Sequence, residues 1–589
     1  MSPESATLDR LEESASAARE AGPIGRRSPH PVWFGIGSGL ALWAAFPPAE
    51  WHGFAWVALV PLFLLVRSTR VAWAYVSAGV GGLIFWLLAT EWVRLTDPAA
   101  WPAWILMAAV LAIFWPLFLG LSRWGVGRLG LPLMIAAPVV WVALEYVRAY
   151  FMTGFPWYYL AHTQFRRLEM IQISDFAGAW GVSLLIAASN ACIVDLLQVP
   201  LLRSGPGGPR LRPAQIARLA VIGSALAFTL GYGAYRIRTA EFTPGPTVAL
   251  LQSNLIQTMN SGRDPNATTL YYVGLVERAA ASGKKLDLAV WPETSYPFGF
   301  VEIDPKLSLD ELDAQVKELV PDGRAEDWIA KRDSVSEHLH AVTDRILGAP
   351  MMVGTVVYDF RVGGRNRYNA AVLFEPGKST VQAYHKMHLV PFGEYVPLIR
   401  TFPWLTYLTP YRGSRTPSLS FGERPTWLDQ GPWRYAVAIC FEDTLPQVVR
   451  PLIADVPDGR PPDVLVNQSN DGWFHDSTAE HVMHLACSVF RAVEHRVPLA
   501  RAANTGISAV VDGNGRIVSQ LETGTEAAMI DGVLIENVPL DPRSGLYTRW
   551  GDWLPIGCLA ITLGGLPLGR LRRFRDRTGG RASAPAGAS

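Results

Sequence analysis

The hydrophobic pattern divides the chain into a long apolar region, a mixed region and one further apolar run. Runs close to the roughly 20 residues that span a bilayer fill most of residues 31–236, and another run falls within residues 550–570. Because the first two runs are short, they are either full spans or a re-entrant pair, so the pattern predicts about eight spans. The predicted spans are Trp33–Phe46, Phe54–Val66, Val71–Trp92, Ala103–Leu121, Leu131–Tyr146, Ala177–Val199, Leu219–Tyr235 and Trp553–Leu568.

Residues 237–549 show a different pattern, in which short apolar runs bounded by Pro, Gly, Asn and Asp alternate with helix-like stretches. This alternation predicts a layered α/β domain. Ser508–Ile517 contains a hairpin turn signal at Asp512–Gly515. Glu302–Asp333 is acidic and lacks a clean period, which predicts a surface insertion or a mobile loop. The predicted strands are Thr247–Asn254, Leu286–Trp291, Met351–Tyr358, Tyr368–Phe374, Val381–His385, Tyr435–Cys440 and Val464–Gln468, and the predicted helices are Thr268–Ala281, Ala325–Leu347 and Ala479–His495.

Composition supports a membrane protein and excludes several other classes. Of the 589 residues only 17% are charged and 50% are hydrophobic, and the 22 Trp suit a membrane–water interface. This apolar content excludes a disordered chain. The net charge of +1 excludes a strongly basic nucleic-acid binder. The four Cys contain no CxxC pair, which excludes a zinc ribbon and a disulfide framework.

The positions of Arg predict the orientation, because short cytoplasmic loops retain positive charge. Arg-rich loops fall on alternate sides of the predicted spans, and a basic stretch follows the last one. We therefore expect residues 1–30 and 571–589 to be cytoplasmic tails and residues 237–549 to lie on the opposite side. Residues 1–30 mix acids with Arg and do not read as a cleavable signal peptide. The Arg residues that set the orientation are Arg26, Arg27, Arg67, Arg70, Arg123, Arg128, Arg203, Arg210, Arg212, Arg218, Arg570, Arg572, Arg573, Arg575 and Arg577.

Three reactive side chains each follow a predicted strand of the α/β region: Glu293, Lys386 and Cys440. Since strand ends in a layered α/β fold converge on one edge, these side chains can meet in one site. A thiol at a helix N-terminus beside a Lys is ionised more easily, and the thiolate is the nucleophile. A nearby carboxylate can carry the thiol proton, and an ammonium can stabilise an oxyanion.

Each of these residues taken alone has an ordinary structural explanation. A strand-end Cys is commonly a small buried hydrophobe, a Pro-Glu pair commonly begins a turn, and a single Lys is usually solvated. The order of the three along the chain is the informative feature. His475, His481 and His484 lie close together in the sequence, but neither an HExxH motif nor a Cys-rich set accompanies them, so we predict no metal site.

The ordered set Glu293, Lys386 and Cys440 resembles the Glu-Lys-Cys triad of the nitrilase (carbon–nitrogen hydrolase) superfamily, whose fold is an α-β-β-α sandwich. Three longer strings resemble motifs of the apolipoprotein N-acyltransferase family: His385–Pro397, Ser469–Phe474 and Gly154–Trp157. The resemblance therefore implies a multi-span α-helical membrane domain of about eight spans joined to an extracytoplasmic α/β nitrilase-like sandwich.

The resemblance also implies a two-step acyl transfer. A membrane phospholipid, usually phosphatidylethanolamine, donates its sn-1 acyl chain to Cys440 as a thioester, and the N-terminal cysteine amine of a diacylglyceryl apolipoprotein then accepts it. Glu293 is the implied base and Lys386 the implied stabiliser of the transition state. The family further implies no metal or organic cofactor, no nucleic acid, a monomer, and a bacterial inner membrane with the catalytic domain on the periplasmic side. The supporting residues are Glu394, Asn369, Phe441 through its backbone N–H, Glu442 and Asn470.

Two other classes of protein stay open at this point. A membrane-tethered nitrilase-type amidase would share the three residues but would not need the motifs of the membrane region. A non-catalytic membrane protein with a decayed domain is disfavoured by the intact set Glu293, Lys386 and Cys440. Phe155–Leu160 is aromatic-rich and predicts either a border of a lipid entrance or an ordinary interfacial belt.

The predicted orientation is tested by introduced cysteines. In intact cells, a thiol reagent that cannot cross the membrane should label Ser282→Cys in the α/β region. The same reagent should miss Ser204→Cys and Ser583→Cys, which the distribution of Arg places in the cytoplasm. Labelling of Ser204→Cys without labelling of Ser282→Cys would reverse the orientation.

Overall fold

The apolar region folds as a bundle of helices in the computed structural model, which describes residues 30–97, 100–203, 210–255, 264–399, 401–408, 419–474 and 477–579. A short hairpin, β1 (Leu202–Arg203) and β2 (Arg210–Leu211), precedes the last helix of this region. The helices are α1 (Val32–Ala44), α2 (Val60–Leu64), α3 (Val71–Ala89), α4 (Trp101–Ala112), α5 (Phe114–Leu129), α6 (Leu133–Tyr150), α7 (Leu168–Ile171), α8 (Ser174–Ala177), α9 (Ala179–Gln198) and α10 (Pro213–Arg238).

Within the described residues, five helical stretches are long and apolar enough to cross a membrane, and three apolar helical segments are shorter. Each of the eight predicted runs overlaps one of them, and the short ones correspond to the first, second and last predicted spans. The long stretches are Val71–Ala89, Trp101–Leu129, Leu133–Thr153, Ala179–Gln198 and Pro213–Arg238, and the shorter ones are Val32–Ala44, His52–Arg67 and Trp553–Gly565.

Small residues bring helices α1 and α3 into close contact. A Cβ on Gly81 would lie 2.3 Å from the carbonyl oxygen of Gly35, so only glycine fits at this crossing. The backbone N–H of Gly35 donates to the hydroxyl of Ser77 at 2.9 Å. Glycine and serine therefore replace bulky side chains where the two backbones approach, as is common between membrane helices.

The α/β region contains two sheets. The first has the strand order β15-β3-β4-β6-β7-β8, with β5 beside β6, and the second has the order β14-β13-β12-β11-β10-β9. The strands are β3 (Thr243–Gln252), β4 (Leu288–Val290), β5 (Tyr296–Ile303), β6 (Met351–Arg361), β7 (Gly364–Phe374), β8 (Gln382–His385), β9 (Trp427–Gln430), β10 (Trp433–Ile439), β11 (Val464–Ser469), β12 (Leu499–Ala503), β13 (Ala509–Val511), β14 (Ile517–Gln520) and β15 (Gly532–Leu540).

The two sheets pack face to face, and helices cover their outer faces. Because side chains alternate along a strand, Val248 and Leu250 of β3 face the second sheet, whereas Ala249 and Leu251 pack with the outer helices. Helices α11 and α13 cover the first sheet, and α14 and α15 cover the second. The implied α-β-β-α sandwich is confirmed. The helices of this region and beyond are α11 (Pro265–Ala280), α12 (Leu309–Leu319), α13 (Ala325–Ala341), α14 (Pro446–Ala454), α15 (Thr478–His495), α16 (Leu546–Trp550) and α17 (Trp553–Gly579).

The stretch Glu302–Asp333 contains the end of β5, the whole of α12 and the start of α13, so of the two predicted alternatives the mobile loop is wrong and the surface insertion stays a prediction. The Ser308 side chain accepts from the backbone N–H of Glu311, whose carboxylate accepts from the N–H of Ser308, and this capping box begins α12. Leu312 and Val316 on α12 then form a small apolar cluster with Val301 and Phe360. The helix is short and mostly polar, which hid its period among the acidic residues.

Buried charges join the sandwich to the bundle. The guanidinium of Arg496, which is fully buried after α15, lies 2.6 Å from the carboxylate of Asp175 on α8. Arg236 on the membrane helix α10 contacts the same carboxylate at 2.9 Å. Asp175 is therefore shared by one cation from each part of the molecule, and the two parts dock around it.

Replacing Arg496 by Leu should destabilise the protein strongly. The variant leaves a buried carboxylate short of one counter-charge, a change that typically costs about 3–5 kcal/mol. The matched control is Arg278→Leu, which removes an exposed ion pair with Asp531 and should change the thermal midpoint little. Thermal unfolding in detergent measures both variants, and equal midpoints would contradict this account of the docking.

Candidate active site

The ends of three strands bring the three predicted side chains into one site. Glu293 comes shortly after β4 and Lys386 directly after β8, both in the first sheet, whereas Cys440 directly follows β10 in the second sheet. The site therefore lies between the two sheets. Glu394 and Asn369 join it from the loop after β8 and from β7.

Lys386 is the centre of the site and is 1% exposed. Its Nζ lies 2.9 Å from Oε1 of Glu293 and 3.0 Å from Oε2 of Glu394. Burial lowers the pKa of this lysine. The carboxylates of Glu293 and Glu394, together with Cys440, raise the pKa by more than burial lowers it, so the pKa ends well above its usual value. The side chain is thus a buried ammonium at neutral pH.

Glu293 is oriented from several directions. The side-chain amide of Asn369 donates to Oε1 of Glu293 at 2.7 Å and to Oε1 of Glu394 at 2.7 Å. The backbone N–H of Asn470 donates to Oε2 of Glu293 at 3.1 Å. Lys386 and Asn369 thus each donate to the carboxylates of both Glu293 and Glu394, whereas the backbone N–H of Asn470 donates to Glu293 only. These contacts fix the direction in which the Glu293 carboxylate can accept a proton.

Cys440 is held in an unfavourable backbone conformation. Its φ is +51°, in the left-handed region that side chains other than glycine rarely adopt, at the turn between β10 and a single helical turn. The side-chain amide of Asn467 donates to the carbonyl oxygen of Cys440 at 3.2 Å, and Nε2 of His484 lies 3.3 Å from that oxygen. The turn presents the thiol to the site.

The thiol is harder to ionise than the sequence suggests. Burial raises the pKa of Cys440, the Glu293 carboxylate raises it again, and Lys386 lowers it, which leaves the pKa well above its ordinary value. Lys386 favours ionisation of the thiol, as the sequence indicated, but burial and the Glu293 carboxylate outweigh it. A protonated thiol beside an acceptor carboxylate needs that carboxylate as its base.

Glu442 joins the loop after β8 (the lysine loop, residues 386–397) to the turn that carries Cys440 (the nucleophile turn, residues 439–444). Its carboxylate accepts from the backbone N–H groups of Met387 at 2.7 Å, His388 at 2.9 Å and Ile439 at 2.8 Å, and from the hydroxyl of Tyr384 at 3.0 Å. Burial raises the pKa of Glu442 to about 7, although these donors favour the anion. The side chain of Phe441 is half-buried, with its ring centroid 6.1 Å from that of His388.

Sequence reasoning missed a buried charged cluster beneath this turn, formed by Asp443, Asp471, His484 and Arg501. Arg501 contacts Asp471 at 2.7 Å and Asp443 at 3.6 Å, and His484 Nε2 contacts Asp443 at 2.9 Å. The sequence showed His484 only beside neighbouring histidines, because Asp443, Asp471 and Arg501 come from three other elements of the fold.

Three members of this neighbourhood have the geometry of a possible metal site. One ligand atom from each of Asp471, Glu480 and His484 lies within 4.8 Å of the others. However, Arg501 already neutralises Asp471, and His484 already pairs with Asp443. The residues thus fit an ion-pair cluster better than a metal site. Of the other histidines considered, His481 is buried on α15 and His475 lies outside the described residues.

The aromatic stretch Phe155–Leu160 is packed inside the protein. Trp157, Tyr158 and Leu160 are at most 4% exposed, so their side chains do not form an exposed interfacial belt, whereas Phe155 is half-buried and its place beside a lipid entrance stays a prediction. Exposed apolar side chains lie shortly before this stretch, at Tyr150, Phe151 and Met152. The next residue, Thr153, interacts with His388 and Tyr395 of the lysine loop, so this exposed tip lies beside the site.

Comparisons with known proteins agree with this geometry. Residues 247–541 match the model of the carbon-nitrogen hydrolase family, which accounts for the sandwich. Residues 38–192 match the N-terminal domain model of apolipoprotein N-acyltransferase. The chain belongs to the apolipoprotein N-acyltransferase family, as its motifs indicated.

Curated relatives support this membership over nearly the whole chain. An apolipoprotein N-acyltransferase from Geobacter metallireducens is 32% identical over 535 residues, covering 89% of this chain and 92% of the relative. One from Rhodopirellula baltica is 28% identical over 566 residues, covering 90% and 95%. Among solved structures, a CN-hydrolase superfamily protein from Xanthomonas campestris is 18% identical, with a TM-score of 0.32, and covers 55% of this chain and 97% of that protein.

The two glutamates should differ in their effects on covalent chemistry. Glu293 is the carboxylate that raises the pKa of the Cys440 thiol, so Glu293→Gln should abolish formation of any acyl-enzyme. Glu394 contacts Lys386 and the backbone N–H of Val390, which suits positioning, so Glu394→Gln should slow turnover but retain some single-turnover acylation. Quenched-flow measurement of protein-bound acyl label compares them, and equal loss in both variants would refute this division.

Proposed function

We propose that this protein transfers an acyl chain from a membrane phospholipid to the N-terminal cysteine amine of a diacylglyceryl apolipoprotein, through a thioester on Cys440. The observation that carries the proposal is the meeting of buried Glu293 and Lys386 with partly buried Cys440 at the junction of two sheets, in a domain docked onto apolar helices. Membership of the apolipoprotein N-acyltransferase family supplies the substrate classes.

In the first half of the reaction, Glu293 takes the proton from the Cys440 thiol as the sulfur attacks the ester carbonyl carbon of the phospholipid. The oxyanion of the tetrahedral intermediate receives charge stabilisation from the Lys386 ammonium and a hydrogen bond from the backbone N–H of Phe441. Collapse of the intermediate breaks the bond to the glycerol oxygen. That oxygen takes the proton from Glu293, and the lysophospholipid leaves behind a thioester.

In the second half, the free α-amine of the apolipoprotein attacks the thioester carbonyl. Glu293 accepts a proton from the attacking nitrogen, and Lys386 again faces the oxyanion. When the carbon–sulfur bond breaks, the thiolate of Cys440 recovers a proton from Glu293, and an amide has formed. The enzyme returns to its starting state without a cofactor, because the phospholipid ester is already an activated acyl donor and the amide product is more stable than the ester.

Burial of the site suits a transferase. Glu293 and Lys386 are 6% and 1% exposed, and their partners are protein groups. A thioester that met bulk water would be lost by hydrolysis, so a dry site favours transfer to an amine. A rival amidase would use water as its acceptor and would have no need of a helical bundle beside the site.

We further propose a phosphatidylethanolamine donor and a monomeric enzyme in the bacterial inner membrane, with the sandwich on the periplasmic side. The distribution of Arg supports the orientation. The exposed apolar tip Tyr150–Met152 supports lipid access from the bilayer, because it follows a membrane helix and adjoins the lysine loop. Both substrates are anchored in lipid, which requires a site near the membrane surface.

Incubation of the purified protein with phospholipid labelled in its acyl chain should give a hydroxylamine-sensitive adduct without any acceptor. A ping-pong route completes its first half with the donor alone. Mass spectrometry should place the adduct on Cys440, and Cys440→Ala should abolish it. The matched controls are alanine variants of the three other cysteines, Cys192, Cys487 and Cys558, all of which are buried. Label that persists in Cys440→Ala would refute the proposal.

A further inference from the structure

We propose that His484 is a positioning residue that holds the nucleophile turn through the carbonyl of Cys440, and that Trp157 of the membrane region holds its imidazole in place. The inference deepens the proposed function and rests on it for its catalytic consequence. It links the helical bundle to the reacting thiol through three contacts of the structure.

The first contact defines the charge of the ring. Nε2 of His484 lies 2.9 Å from a carboxylate oxygen of Asp443 and 3.3 Å from the carbonyl oxygen of Cys440. Nδ1 lies 3.4 Å from Asp471 and 3.6 Å from Glu480. All four neighbours are oxygen atoms, which favours protonation of both ring nitrogens and therefore the imidazolium form of His484.

Two further charged or titratable groups lie beside the neighbours of His484. Arg501 contacts Asp443 and Asp471 and carries a positive charge, and His481 lies beside Glu480 at 3.7 Å. Burial and the charge of Arg501 lower the pKa of His484, but Asp443 and Asp471 raise it, and the pKa ends well above its ordinary value. The carboxylates thus retain the cation in a fully buried position.

The second contact acts on the strained backbone of Cys440. A residue with φ of +51° persists only where its surroundings hold it, and the carbonyl of Cys440 is fixed by Asn467 and by the cationic donor of His484. The same cluster extends towards the sulfur, since the Ser469 hydroxyl, which interacts with the thiol, donates to Asp471 at 2.5 Å. Loss of the imidazolium would therefore release the turn and the group that contacts the thiol.

The third contact comes from the membrane region. The ring centroid of Trp157 lies 5.4 Å from that of His484. On its other side, the ring centroid of Trp92 lies 5.0 Å from that of Trp157, and Trp92 belongs to the short helical turn Glu91–Leu95 that follows α3. The carbonyl oxygen of Trp157 accepts from the guanidinium of Arg148 on α6. Trp157 is 2% exposed, so its ring is enclosed between the bundle and α15. The bundle thereby sets the position of the imidazolium.

The test measures alkylation of Cys440 by iodoacetamide as a function of pH, without lipid, together with the rate of thioester formation from phospholipid. His484→Leu should slow both by roughly tenfold to one hundredfold, the effect expected when one hydrogen bond from a charged donor is lost. His484→Gln keeps an N–H near the position of Nε2 and should recover part of both rates. His495→Leu is the matched control, because His495 is as buried as His484 but lies at the far end of the same helix beside Thr548, and its rates should stay within about twofold.

Trp157→Leu is a second variant in case His484→Leu does not fold. It leaves every charged and hydrogen-bonding partner of His484 in place and should slow alkylation by about threefold or more, through a displaced ring. Wild-type alkylation and acylation rates in folded His484→Leu or in Trp157→Leu would overturn the inference. If the wild-type protein forms no thioester, the proposed function fails, while the alkylation rates still judge the positioning role.

Discussion

The buried ammonium of Lys386 is the constraint on which the rest of the site depends. A lysine taken out of water loses its proton unless carboxylates surround it, so Glu293 and Glu394 must both reach it. They come from the end of β4 and from the loop after β8, and the amide of Asn369 on β7 binds both. The strand order β4-β6-β7-β8 brings these elements to one edge, and the second sheet must then deliver the thiol opposite them.

Buried charges are also compensated by opposite charges at two further places, beneath the turn that carries Cys440 and between the sandwich and the helical bundle. Asp443 and Asp471 are compensated by His484 and Arg501, and each residue is at most 2% exposed. Further out, Asp175 is compensated from both sides, by Arg496 and by Arg236. Buried ion pairs add little net stability, but a mismatched pair is costly. We therefore interpret these clusters as the features that fix how the nucleophile turn, α15 and the membrane helices fit together.

The sequence predicted the parts of this structure that follow from local patterns. The apolar runs, most strands of the sandwich and the positions of Glu293, Lys386 and Cys440 at strand ends could all be recognised, because each depends on neighbouring residues. The hairpin at Asp512–Gly515 was likewise predicted from its turn residues and forms between β13 and β14. Family membership was recognised from strings of consecutive residues, which is again local information.

What was missed depends on contacts between distant segments. The pairing of His484 with Asp443 and the burial of Trp157 arise only when α15 docks on the bundle. The raised pKa of the Cys440 thiol has the same origin, since burial and the distance to Glu293 are tertiary properties. Helix α12 was missed because its mixed polar sequence conceals a short apolar face, and strand β5 was missed because Pro297 and Gly299 interrupt its apolar run.

The central claim is that the acyl group on Cys440 is an intermediate that passes to an amine. The most direct measurement isolates the protein with labelled acyl chain on Cys440, free of phospholipid, and mixes it with a diacylglyceryl peptide that has a free N-terminal cysteine. The account predicts that the label moves to the α-amine of the peptide as a hydroxylamine-resistant amide, as fast as the enzyme turns over. Release of the label as free fatty acid, with the peptide unmodified, would contradict it.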